Sequence, residues 1–152
     1  QAPTVSFQPS PAPNETLATA FIIETQQEFL ERTLTTDGQI SVLGSPQNEA
    51  FAVLAENFPD LDPNNSPTDR LQIAQIYALN TLYFALNGVG WSMRTDWTGP
   101  ADVCGDEPWI GVLCEDNGTV AELNLTSNDL LGQLPSEIQG LSSLRKSIMK
   151  GS

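Results

Sequence analysis

The chain has 152 residues, about one domain's worth, and sets 19 acids against six bases for a net charge of −13. That field repels phosphate, which argues against nucleic acid as a partner and disfavours anionic membrane surfaces. Histidine is absent, which removes the commonest general base and metal ligand, and no apolar run approaches the ~20 residues of a spanning helix.

Residues 1–13 carry Pro3, Pro9, Pro11 and Pro13 and read as an extended arm. The opening Gln1-Ala2-Pro3 has neither a basic nor an apolar leader, as expected of a chain already processed. Asn14 is a candidate N-cap for a helix over about 15–33, with Leu17, Ala20, Phe21, Phe29 and Leu30 as its apolar positions. Ser45-Pro46 opens a second helix over about 46–57, because a capping hydroxyl precedes a proline at the first helical position. Phe51, Leu54, Ala55 and Phe58 give it one apolar face. Ser66-Pro67-Thr68-Asp69 repeats that opening, and a third helix follows over about 67–87. Apolar residues spread widely around it, which predicts burial, and Asn87-Gly88 should stop it.

Beyond Gly90 the texture changes. Trp91, Trp97 and Trp109 alternate with Gly, Pro and the two cysteines, which predicts a compact segment packed by its rings. An aromatic platform for carbohydrate is the functional alternative. Cys104 and Cys114 make one pair with no remainder, which suits a disulfide in an oxidising compartment. Asn14, Asn64, Asn117 and Asn124 each begin an N-x-Ser/Thr sequon, a candidate glycosylation site in a secreted chain.

From Val120 the apolar residues fall into a repeat of about 24 residues. Leu123 and Leu125 alternate on a short strand, and Asn128 turns inward to serve buried backbone groups. Leu130 and Leu134 fill the space behind, Gly132 bends the chain, Pro135 starts the return, and Ile138 and Leu141 close the back. Gly132-Gln133-Leu134-Pro135 resembles the G-x-I-P step of plant-type leucine-rich repeats. Trp109-Ile110-Gly111-Val112-Leu113-Cys114 resembles the end of their amino-terminal cap, and Val120–Leu125 the first strand after it. Tyr77–Gly88, Trp91 and Trp97 resemble caps of leucine-rich-repeat proteins from microalgae such as diatoms. The resemblance implies a Cys104–Cys114 disulfide and ligand binding on the strand face.

The expected architecture is α+β: a helical cap of about three helices and a disulfide-closed Trp-rich segment, leading into a short leucine-rich-repeat solenoid. The arm occupies 1–13, the cap 14–116, one complete repeat and the start of a second 117–144, and an irregular basic tail 145–152. A lone repeat leaves the strand around Ala121–Leu125 with an open edge, to be covered by a partner or a second copy. Glu122, Asn124 and Thr126 are the candidate interaction face.

Competing chemistry is thinly supported. Asp60-Leu61-Asp62-Pro63-Asn64-Asn65 opens like a calcium loop but lacks its Gly at position six and has Leu71 where a bidentate Glu belongs. No pair of acids stands out for hydrolysis, and no nucleophile motif or phosphate loop is present. The expected function is a non-enzymatic interaction module of a secreted, cell-surface or lumenal protein. It would need no cofactor or metal and would bind a protein, peptide or glycan. A permanently docked assembly subunit, as in a thylakoid lumen, is the alternative, and a carbohydrate-active enzyme stands behind both.

Overall fold

The computed structural model describes residues 13–126 and 128–149. The arm up to residue 12, the side chains of residues 13–16 (Asn14 among them), and residues 127 and 150–152 lie outside the described residues. Three helices, α1 (Pro13–Thr33), α2 (Pro46–Asn57) and α3 (Pro67–Ala85), precede a three-stranded sheet of β1 (Val112–Cys114), β2 (Val120–Asn124) and β3 (Lys146–Ile148). The chain is therefore α+β with a helical layer and a small sheet, and no solenoid is present among the described residues.

The helix openings follow their capping chemistry. Ser45 Oγ accepts from the Asn48 backbone N–H at 3.0 Å, and Ser66 Oγ from that of Asp69 at 3.1 Å. Helix α2 takes the predicted bounds. Helix α1 departs from expectation at both its start and its face. Pro13 belongs to its first turn rather than to the arm, so Asn14 lies inside the helix and is not its N-cap. Leu17 and Phe21, expected on the packed face, are 69% and 63% exposed. The helix instead anchors through its second half, with Leu30 buried and Gln26 donating to the Phe58 and Leu61 carbonyls at 3.0 and 2.7 Å.

Helix α3 is the centre of the molecule. Gln75 through Tyr83 are buried on all sides, as the wide apolar distribution predicts. It ends because Asn87, not glycine, takes the left-handed conformation at φ 60°. Gly88 is required for another reason: a Cβ there would fall inside the Tyr83 ring.

Trp91, Trp97 and Trp109 are all buried, which decides for packing over a carbohydrate platform. Trp97 sits between Trp91 and Trp109, with ring centroids at 5.1 and 5.6 Å. Each indole N–H finds a carbonyl: Leu86 for Trp91, Ile110 for Trp97 and Ala101 for Trp109. Cys104 and Cys114 are disulfide-bonded with Cα atoms 5.8 Å apart, which ties this segment to β1.

The sheet corrects two expectations. Strand β2 is central, antiparallel to β1 and parallel to β3, so it has no open edge. The tail is not irregular throughout, because Lys146–Ile148 is the third strand. Glu122 pairs with Lys146, Leu123 with Ser147 and Asn124 with Ile148, a constant offset of 24 residues. Leu123, Leu125 and Leu141 are buried, and Asn128 is 1% exposed. The Asn128 amide accepts from the Met93 N–H at 2.9 Å and donates to the Met93 carbonyl at 3.3 Å, the backbone service expected of it. Gly132 has φ 122° and rests so close to the Ala85 carbonyl that any side chain would collide with it. Leu134, by contrast, is 53% exposed and Leu130 only half-buried, so Leu134 does not fill the core as expected.

Helix and sheet are joined through Gln75. Its Oε1 accepts from the Val120 N–H at 2.7 Å, and its Nε2 donates to the Gly118 carbonyl at 3.1 Å. Gln75→Leu strands a buried donor, so urea unfolding should show a loss of about 1–3 kcal/mol. Replacing both Cys104 and Cys114 by Ala frees the loop they close in the unfolded chain, and the same assay should show about 3 kcal/mol lost.

Candidate functional site: the open face of the sheet

Alternation along β2 sends Leu123 and Leu125 inward and Glu122, Asn124 and Thr126 outward. The three residues named from sequence therefore share one face. Cross-strand pairing widens it. Leu113 of β1 stands opposite Glu122, with Lys146 of β3 on its other side, and Ile148 flanks Asn124. Leu113, Lys146 and Ile148 escaped the sequence reading, although extending the 24-residue period by one turn places Lys146 beside Glu122.

The face has relief. Beside Met93, Ile110 and Thr126 lies a shallow depression of about 350 Å³, and over Leu113, Glu122, Lys146 and Ile148 a second of about 310 Å³. Gly111 and Asn124 line both, so Asn124 stands on the ridge between them. The electrostatics differ from those of the whole chain. Glu122 faces Lys146 across the strands, and its Oε2 lies 3.7 Å from the Arg145 guanidinium, which also pairs with Glu115 at 2.9 Å. In a strongly acidic chain the acid of this face has one base within ion-pair distance and a second in strand register with it.

The remaining candidates scatter. Asn117 is exposed in the β1–β2 turn, and Asn64 is exposed in the loop between α2 and α3. In that loop Asp62 Oδ1 accepts from the Asn64 N–H, and Asp69 Oδ2 from the Asp62 N–H, so the acids organise a turn and a helix start. No cluster of three or more His, Cys, Asp or Glu suited to a metal occurs among the described residues.

Behind the sheet lies a polar group that the sequence did not reveal. Glu137, on the return segment, is 3% exposed. Its Oε2 accepts from Thr35 Oγ1 at 2.6 Å, and Gln47 Nε2 lies 3.3 Å from both carboxylate oxygens. Thr35 has one hydroxyl proton, directed at Glu137, so the Tyr77 phenol donates to Thr35 across its 2.6 Å contact. One chain of bonds thus connects the end of α1, α2, α3 and the return segment.

Comparison with known proteins gives a partial likeness. Over 79 residues the chain is 34% identical to a probable leucine-rich repeat receptor-like protein kinase of Arabidopsis thaliana, covering 49% of this chain. The chain spans 8% of that protein's length. No family model and no solved structure matches. This likeness points only weakly to a leucine-rich-repeat relationship.

The Tyr77 junction has a pH signature. Burial, with a smaller contribution from the nearby Glu137 charge, raises the phenol above its ordinary value of 10.0. The unfolded chain then releases this proton first, so the contribution is intact below about pH 10 and declines as pH rises toward the folded value. Urea titrations above pH 10 should show stability falling by about 1.4 kcal/mol per pH unit from this group. Tyr77→Phe should remove that increment of slope, and an unchanged slope would count against the junction.

Proposed function

We propose that the chain is a non-enzymatic recognition module of leucine-rich-repeat type, binding a protein, peptide or glycan on the face formed by Glu122, Asn124 and Thr126 with Leu113, Lys146 and Ile148. One observation carries the reading: parallel strands 24 residues apart present alternate side chains outward, as a coil does when its strands are stacked for recognition. The helices and buried tryptophans then act as the cover for the first coil. A secreted or lumenal setting agrees with the disulfide. No helix among the described residues is long and apolar enough to cross a membrane.

The face suits a partner that is not strongly charged. Leu113 is 52% exposed beside amides, a hydroxyl and an offset charge pair, a mixture that offers apolar contact and directional bonds together. A docked assembly role is favoured by a different observation. Leu134 is exposed, and the outer edge of β3 is paired with no described strand, so a further coil or a partner strand could continue the sheet there.

The test uses unglycosylated chain, refolded with its disulfide, immobilised and exposed to the extracellular or lumenal fraction of its native source. A specific partner should be retained, and its capture should fall about tenfold, or 1.4 kcal/mol, with Glu122→Arg. Asp60→Arg, in an exposed loop away from the sheet, should leave it unchanged. Equal capture by both variants would place recognition elsewhere.

A further inference from the structure

The three described sequons differ in what their hydroxyls do. Ser66, which completes the Asn64 sequon, donates to Asp69 Oδ1 at 3.2 Å while capping α3. In the other two the hydroxyl turns back to the asparagine. Asn117 Oδ1 accepts from the Thr119 N–H at 3.2 Å and its hydroxyl at 2.7 Å. Asn124 Oδ1 accepts likewise from the Thr126 N–H at 3.0 Å and from its hydroxyl. No described residue accepts from Nδ2 of either Asn117 or Asn124, and both side chains are exposed. Their surroundings differ. The Asn117 turn lies against α3, where Gly118 meets Gln72 and Gln75. Asn124 stands on the ridge between the two depressions of the sheet face.

We propose that Asn124 is an N-glycosylation site whose glycan closes the recognition face, so that modification at Asn124 and partner binding exclude each other. This rests on the reading of that face as the recognition surface. The transfer forms a bond between Asn124 Nδ2 and the anomeric carbon of an oligosaccharide. It breaks that carbon's bond to the pyrophosphate of a lipid-linked donor, and the lipid pyrophosphate leaves as the amide gives up a proton. A glycan rooted on the ridge lies over Leu113 and Ile148 on one side and Met93 on the other. A glycan on Asn117 projects from the turn and leaves the face open. The site also explains a mismatch of chemistry. A free amide on the ridge is a good ligand group, yet the same amide lies in an exposed acceptor sequence, so the chain can exist in an open and a covered form.

The full chain, made in a eukaryotic secretory host, tests this without a partner. Glycopeptide mass spectrometry should find sugar on Asn124, lost in Thr126→Ala and kept in Thr126→Ser. N-hydroxysuccinimide acetate then probes the Lys146 amine, which is exposed two residues along the face. Acylation of Lys146 should be several-fold slower in the wild type and Thr126→Ser than in Thr126→Ala. An unmodified Asn124 beside a glycosylated Asn117 would overturn the site, and equal Lys146 acylation in all three chains would overturn the closure. Neither result touches the Glu122→Arg comparison on unglycosylated chain, so the recognition reading stands or fails separately.

Discussion

A sheet strand ends in backbone groups that must be paired, and here a glutamine on a helix pairs them. Gln75 offers Val120 an acceptor and Gly118 a donor, as a neighbouring strand's peptide would. That substitution lets a helical layer abut a sheet without leaving buried amides unpaired, at a cost of about 1–3 kcal/mol for each group left unmet. The other contacts of the junction depend on this approach. Gly132 can lie on the Ala85 carbonyl, Leu131 N–H can reach the Leu86 carbonyl, and Asn128 can serve Met93 only if α3 and its exit are held this close. The disulfide and the three tryptophans hold the intervening segment, and β1 enters the sheet from it.

What could be read from the sequence divides along physical lines. Local chemistry was legible: Ser-Pro openings mark both α2 and α3, and the widely apolar α3 is the buried one. The inward leucines of β2 and the inward Asn128 were legible because strand alternation and the pairing of buried backbone groups each demand a particular residue type. Strand β3 was not, because Ser147 lies opposite Leu123 where an apolar residue would continue the alternation, and without one the pattern looks broken. Backbone pairing does not need the side chain, so the strand forms regardless. Helix α1 misled for the opposite reason. Leu17 and Phe21 fall at helical spacing, but the groups that receive α1 lie beside its second half. Glu137 was invisible because an acid's burial depends on its partners, and Thr35 and Gln47 are remote in sequence.

The distribution of charge separates the two surfaces of the molecule. Acids outnumber bases by 19 to six, giving the chain a strongly negative field overall. On the sheet face the balance is local. Glu122 lies near Arg145 and stands in register with Lys146, so its charge is locally balanced.

The buried chain from Tyr77 through Thr35 to Glu137 constrains how that face can be presented. Glu137 lies between β2 and β3, whereas its partners belong to the helices and the loop after α1. A carboxylate held by neutral donors cannot drift without leaving those donors unpaired, so this segment is fixed to the helices in one position rather than sliding along an apolar boundary. Apolar packing alone tolerates small slips, whereas hydrogen bonds of 2.6 Å do not. The outward row of β2 is therefore held in place by contacts between the helices and the segment that follows the strand.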